Sequence, residues 1–422
     1  MAVDVRREAL QATPSPAAHD IQTVKHTTCC IVGAGPAGAM LALLLARQAI
    51  PVLLLEAHAD FEREFRGDTV HPSTMQLLDE LGLADRLLEL PHTKIRQAAL
   101  PTEPPVTVDF GFLPTRFPYI TMMPQAQFLE FLTAEAARLP SFELLMGASV
   151  RELVEQDDIV RGVRCQTAKG WIEVRALLTV GADGRFSRLR HLSRLRAIKS
   201  SPAIDVLWFR LPRRPSDPSG AAFRFRRGHA VVLLDRGEMW QMAYLLPKGG
   251  YQQLHADGLP GLRQTLVELV PWLEDRVDYL TDWKQAFLLS VESDRLERWY
   301  RPGLLLIGDA AHTMSPVGGV GINYAIQDAV ATANLLPDRL RAGRLSLADL
   351  ARVQRRREPP IRVIQVIQAQ IQNRLLAPAL SGAPRTPELL RWLSAVPALR
   401  RLPPYLLTFG IRPEHVRAGR VV

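Results

Sequence analysis

The chain has 422 residues, 47% of them hydrophobic and 23% charged, with a formal net charge of +9 and three cysteines. That length and mixture fit an enzyme-sized globular protein with a large core and two closely connected domains. Cys29 and Cys30 are adjacent and Cys165 is isolated, so there is neither a metal-ligand pattern nor a CxxC redox pair, which excludes a disulfide reductase and fits a reducing, cytoplasmic setting.

Residues 1–24 mix charges with Pro14 and Pro16, lack the apolar core of a signal peptide, and read as a flexible arm. The apolar stretch 29–55 is divided by glycines, Pro36, Arg47, Gln48 and Pro51, so no membrane-crossing span remains. Instead it reads as strand, tight turn, helix and second strand. Residues 27–32 are largely apolar and lead into Gly33-Ala34-Gly35-Pro36-Ala37-Gly38, a GxGxxG turn. Gly33 and Gly35 permit the turn and the approach of a pyrophosphate, which sits on the positive helix end; Gly38 lets helix and strand pack closely. The second strand, 52–55, ends in Glu56, an acid placed to hold the adenosine ribose hydroxyls.

A polar stretch with Arg66, Gly67 and Asp68 follows, then helical periodicity over 72–83, a proline-rich excursion to Tyr119, and a helix over 127–139. Residues 143–154 and 162–180 alternate like antiparallel strands, and the second ends in a Gly181-Ala182-Asp183-Gly184 turn. Between 203 and 293 four more strands are expected, as a sheet inserted into the dinucleotide-binding domain. Its alternation puts Trp208 and Arg210 on one strand face and Trp240, Met242 and Tyr244 on another, and all five are candidate pocket-lining residues. Leu304 to Ile307 is a short strand feeding Gly308-Asp309-Ala310-Ala311-His312, followed by Pro316, Gly318, Gly319, Gly321 and a helix; together with the first turn this points to a bound flavin. Beyond Ser346 the pattern is helical, broken by Pro359 and Pro360 among others, and rich in arginine. Without aromatic–basic interleaving, those arginines read as a solvated helical face, not a nucleic-acid or membrane contact.

The expected class is α/β: a Rossmann-like FAD-binding domain, an inserted β-sheet substrate domain and a C-terminal helical segment. The expected divisions are an arm (1–24), FAD-binding parts (25–95, 121–200 and 300–346), a loop-rich excursion (96–120), the substrate sheet (201–299) and the helical region (347–422). No metal site and no second GxGxxG are present.

The ordered series of GxGxxG with Glu56, a GADGxxSxxR run (Gly181 to Arg190) and GDAAH followed by PxGGxGxN resembles the single-component FAD-dependent aromatic hydroxylases, the para-hydroxybenzoate hydroxylase-like flavin monooxygenases. The resemblance spans residues 27–336. It implies FAD as cofactor, NADH or NADPH as transient donor, and O2 reacting at the flavin C4a position to give a hydroperoxide that hydroxylates an apolar aromatic or polycyclic substrate. It also implies that Arg66 reaches the pyrophosphate, that Gln125 and Asp309 lie near the ribityl chain, and that Asp183 lies near both cofactors. The amides of Ile322 and Asn323 would contact the flavin beside Gly318, Gly319 and Gly321, with Pro316 lining the reactive face. His312 is expected to pack and hydrogen-bond locally.

Ser315 and Val320 stand where para-hydroxybenzoate hydroxylase has a proline and a lysine, so the benzoate substrate does not carry over. A reductase or saturase, or a halogenase, on the same scaffold is the enzymatic alternative, although the halogenase WxWxIP motif is absent. A non-catalytic flavin-binding redox sensor is the other. Epoxidation and Baeyer–Villiger oxidation stand beside hydroxylation, and the pattern specifies no oligomeric state.

Overall fold

The apolar run that ends at Val32 is buried on both faces, as the middle strand of a parallel sheet must be. In a computed structural model, which describes residues 20–62, 68–99, 106–200, 202–218, 220–226, 228–381, 396 and 399–417, the strand begins earlier than the sequence suggests, at Ile21. It pairs in parallel with Val52–Leu55 on one side and Gly170–Gly181 on the other. Phe142–Leu145 and Leu304–Leu306 extend the parallel set outward, and Tyr300–Arg301 closes one edge antiparallel. Helix Pro36–Ala46 packs against helices Gly321–Leu335 and Gln125–Ala137, so residues from distant parts of the chain share one core. Cys29, Cys30 and Cys165 lie in that core; burial pushes the Cys29 thiol up to about 12 and that of Cys165 to about 11, which leaves both protonated and unreactive.

Strand Gly170–Gly181 has two partners in succession on its outer side. Its first half pairs antiparallel with Ile159–Thr167, and its last three residues pair parallel with Leu304–Leu306. The expected antiparallel strand over 162–180 is therefore two strands joined by a turn at 168–169, with the second crossing into the parallel core. The excursion expected to be loop contains strands as well: Gln97–Ala99 pairs with Thr107–Asp109, and Thr93–Ile95 and Thr69–Val70 flank Ile120–Met122.

The inserted sheet has five antiparallel strands in the order Ala221–Arg226, His229–Asp235, Met239–Pro247, Ile204–Pro212, Phe287–Leu289. Helix Tyr251–Leu269, hidden in the sequence by Gly258, Pro260 and Gly261, covers its outer face. Gly258, at φ +80°, and Pro260 interrupt the periodicity, but Leu262, Leu266 and Leu269 restore a buried stripe at helical spacing. An ion pair between Asp68 and Arg236, both largely buried, and a 3.3 Å bond from Thr93 Oγ1 to the Asp235 carbonyl fasten the insertion to the flavin-side sheet.

The long helix Leu347–Ile371 runs through Pro359 and Pro360 instead of breaking there. Anchors on both sides of the prolines hold it: Gln354 bonds the Trp299 amide and the Glu297 carbonyl, and Gln365 bonds the carbonyls of Asp294 and Thr313. Among its arginines, Arg357 is not on a solvated face but fully buried, 3.0 Å from Asp328 and 3.3 Å from Glu414. Burial alone would raise the Asp328 carboxyl; His312 and Arg357 outweigh it and hold it below the usual carboxylate range.

Replacing Arg357 by Met removes the counterion and leaves two buried carboxylates. Urea unfolding should show a loss of roughly 3–5 kcal/mol. A loss below about 1 kcal/mol would mean the network is energetically neutral.

Candidate active site

Three glycine-bearing turns, far apart in sequence, meet at the carboxyl ends of the parallel strands. Gly33, at φ +98°, has no room for a side chain, since a Cβ there would lie 2.5 Å from the Ala182 carbonyl oxygen. A Cβ on Gly38 would lie 1.9 Å from the Gly33 carbonyl oxygen, and one on Gly308 would lie 3.3 Å from Cβ of Ala37. The first turn therefore touches both the GADG and the GDAAH turns. Gly35, by contrast, has nothing within 4 Å of a built Cβ, although it is the N-cap of helix Pro36–Ala46 and carries no side-chain cap. A helix N-terminus with unpartnered amides beside open space is what an anionic pyrophosphate needs.

Glu56 closes the adenosine end. One carboxylate oxygen accepts the Ala34 amide at 3.0 Å, and the other accepts His58 Nδ1 at 2.6 Å. Burial pushes its pKa up, but the bonds from His58 and Ala34 prevail and keep the carboxyl below its ordinary value. Arg66 lies outside the described residues. Gln125 occupies the first turn of helix Gln125–Ala137, its amide 3.2 Å from the Asp68 carboxylate.

Asp183 accepts Ser187 Oγ at 2.5 Å and the Leu189 amide at 3.0 Å. Its burial raises the carboxyl pKa, with these bonds opposing the rise. In the same run Arg190 grips Asp294 through two bonds of 3.0 and 2.8 Å, and Asp294 in turn accepts the Thr313 amide at 3.2 Å. The GADG run is thus tied to the loop after GDAAH. Within GDAAH, Asp309 sits half-buried, while the Gly308 amide and His312 Nε2 converge on Asp328 at 3.0 and 2.6 Å. His312 packs on Trp299, at a ring distance of 5.0 Å.

Gly318 and Gly319 have φ of +79° and +62°, conformations that disfavour a side chain. Thr69 Oγ1 bonds the Gly319 carbonyl at 2.8 Å. Helix Gly321–Leu335 starts without a side-chain cap, which leaves the amides of Gly321 and Ile322 without intrahelical acceptors. The Asn323 amide is engaged by the Val320 carbonyl at 3.0 Å, so the expected flavin contact from that amide gives way to a tethering role for its side chain. Asn323 Oδ1 accepts the His71 amide at 3.0 Å and Thr74 Oγ1 at 2.7 Å.

The Pro316 turn is held from an unexpected direction. Gln368 donates to the carbonyls of Ser315 and Val317 at 2.8 and 2.9 Å, and Gln372 donates to the Ser315 hydroxyl. Gln365, Gln368 and Gln372 form a polar stripe at helical spacing between isoleucines, a signal present in the sequence. Gln372 opens a π-helical turn, Gln372–Leu376.

The two faces of the inserted sheet separate the five expected lining residues. Trp208 is half-buried on the inner face, where it clusters with Val206, Val232 and Val317; Arg210, on the same face, is exposed. Trp240, Met242 and Tyr244 point the other way, into the core under helix Tyr251–Leu269. Trp240 Nε1 donates to Asp217 at 2.9 Å and Tyr244 pairs with His229 at 2.5 Å. These three are core residues, not pocket lining, because the covering helix claims their face.

A family model described as FAD binding domain matches residues 26–362. The chain belongs to this family. It is 34% identical over 394 residues to 6-methylpretetramide 4-monooxygenase of Streptomyces rimosus, which covers 89% of this chain and 90% of that protein. It is 30% identical to 12-dehydrotetracycline 5-monooxygenase/anhydrotetracycline 6-monooxygenase of Streptomyces rimosus subsp. rimosus over 71% of this chain, which corresponds to 60% of that relative's length. The solved structure of anhydrotetracycline hydroxylase from Streptomyces rimosus superposes with a TM-score of 0.73 at 26% identity, covering 94% of this chain and 78% of that one. The protein is an FAD-dependent monooxygenase with the two-domain α/β fold of its relatives. No described helix is long and apolar enough to cross a membrane, and no described group of His, Cys, Asp or Glu could hold a metal.

The residues present fit FAD: the open space at Gly35 takes a pyrophosphate, and the His71 ring, fully buried beside the backbone of Gly318 and Leu407, makes no well-formed hydrogen bond there. Gly35→Val should fold, since the space is open, yet purify without yellow colour, whereas Gly38→Ala should not fold. Stoichiometric FAD in folded Gly35→Val would refute the site.

Burial pushes the His71 imidazole down from 6.5 to about 4, against the opposing pull of the neighbouring carbonyls. Between those two values the unfolded chain binds a proton that the folded chain does not, so stability is full above pH 6.5 and falls as pH drops towards 4. The loss is on the order of 3 kcal/mol. In His71→Gln, denaturant unfolding at a series of pH values should show that fall flattened.

Proposed function

We propose that the monooxygenase draws electrons from NADH or NADPH and transfers one oxygen atom of O2 to a flat, apolar aromatic or polycyclic substrate held between the inserted sheet and the flavin. The observation that carries this reading is the apolar cluster joining Val317, next to Pro316, with Trp208, Val206 and Val232 of the inserted sheet. It sets an aromatic, water-poor wall against the turn that the resemblance assigns to the reactive face. The names of the relatives support the substrate class, 6-methylpretetramide and anhydrotetracycline for the polycyclic part and para-nitrophenol and pentachlorophenol for the aromatic part.

When bound, FAD supplies the redox chemistry, taking hydride from the donor and activating oxygen. The chain's own residues do the rest. The N-terminus of helix Pro36–Ala46 receives the pyrophosphate, with Gly35 giving it access. Glu56, already oriented by Ala34 and His58, takes the ribose hydroxyls. Gln125 and Asp309 address the ribityl chain. Amides of Gly321 and Ile322, at the positive end of a 15-residue helix, stabilise negative charge on the reduced flavin edge. Asp183 sits where the donor approaches, and Pro316 and Val317 with the sheet above exclude water from the reacting face.

Incubated with donor, substrate and labelled oxygen gas, the enzyme should give a product heavier by one labelled oxygen atom, and donor oxidation should accelerate when substrate is added. Label entering from water, or anaerobic turnover with another acceptor, would replace this reading with a reductase on the same scaffold.

A further inference from the structure

The inner face of the inserted sheet is covered by two separate apolar clusters. Leu234 and Ala221 join Leu407, Ile120 and Phe409 in one; Trp208, Val232 and Ala243 join Val317 and Leu376 in the other. The strand register places Gln241 between them, since Gln241 pairs with Leu234 on one side and Arg210 on the other, one step along the same face from Ala243, which pairs with Trp208. Below, the same boundary is marked by Gly318: a Cβ there would lie 2.5 Å from Leu407 Cδ1, so Leu407 of one cluster and Val317 of the other meet at the turn beside the flavin site. The boundary between the two clusters, marked by Gln241 in the sheet and by Gly318 in the turn, is a seam between them.

Gln241 is only 2% exposed, and its side-chain oxygen has no hydrogen-bond partner among the described residues. A buried amide oxygen left unpaired costs about 1–3 kcal/mol, which a ligand donating a hydrogen bond to it would recover. On this face Gln241 has Leu234 and Arg210 as cross-strand partners, with Met239 and Ala243 on either side of it along its own strand. Trp208, itself half-buried, has the small Ala243 as its partner on strand Met239–Pro247, one pair along from Gln241 and Arg210.

We propose that Gln241 is the specificity-determining residue for substrate, its carboxamide oxygen accepting a hydrogen bond from a phenolic hydroxyl of a flat fused-ring molecule lying in the seam against Trp208. This rests on the aromatic-substrate reading above and adds to it a required hydroxyl. The methyl-for-hydroxyl replacement then matters more than ring size, because the analogue leaves the buried oxygen unpaired.

The test uses the FAD-loaded protein and two probes of nearly equal shape, 2-naphthol and 2-methylnaphthalene, titrated against the flavin absorbance spectrum. Wild type should bind the naphthol at least about tenfold more tightly. Gln241→Leu should bind both within about twofold and retain its FAD. Because that variant deletes an unpaired polar atom, its thermal midpoint without probe should rise, whereas a merely structural hydrogen bond would make it fall. Equal binding of the probes by wild type, binding of neither, a preference that survives in Gln241→Leu, or a lowered midpoint each overturn the proposal. The monooxygenase reading fails separately, through the source of the labelled oxygen, which does not depend on the identity of residue 241.

Discussion

Asp328 is a carboxylate with no exposed surface, and the active site is assembled around it. It receives the Gly308 amide, the His312 ring and the Arg357 guanidinium, so one side chain in the middle of a helix fixes the GDAAH turn and docks the C-terminal helix. A buried ion of this kind is tolerated only when each oxygen is satisfied, and here three donors from two segments, the GDAAH turn and the C-terminal helix, do so. Glu414 then repeats the arrangement further out, bonding Arg356 at 2.6 Å and Arg357 at 3.3 Å. The chain beyond residue 400 is thereby connected to the flavin-side turn through charges, not through apolar packing alone.

The C-terminal helix continues this role at the opposite end of the same loop. Gln368 holds the Ser315 and Val317 carbonyls and Gln372 the Ser315 hydroxyl, so the segment beside the flavin is held from the C-terminal side, while from the other Thr69 holds the Gly319 carbonyl and the His71 amide meets Asn323 Oδ1. Glycines supply the conformation and distant polar side chains supply the rigidity. Neither could do so alone, since Gly318 and Gly319 have no side chains of their own to lock the turn.

The backbone-driven parts of the site could be read from the sequence. Gly33, Gly38 and Gly308 are required by close approach of main chain to main chain, a constraint that only glycine meets, and so the turns announce themselves. Alternation also gave the two faces of the inserted sheet correctly. What it could not give was which face looks inward, because that depends on helix Tyr251–Leu269, whose periodicity Gly258 and Pro260 obscure; Trp240, Met242 and Tyr244, candidate lining residues by alternation, lie in the core under that helix. The Asp328–Arg357–Glu414 network was invisible for a different cause: ion pairs formed across dozens of residues leave no local pattern, and an arginine-rich helix looks solvated until its partners are known.

Strand Gly170–Gly181 has a bearing on how the chain is made. The central strand acquires Gly170–Gly181 as its neighbour only after residue 181 exists, and that strand in turn lacks Leu304–Leu306 until residue 306 has been synthesised. The whole inserted sheet, whose strands pair antiparallel with one another, is translated in between. During synthesis the insertion is thus able to mature first, while the older N-terminal half waits with an open sheet edge, the state in which nascent chains most need a chaperone.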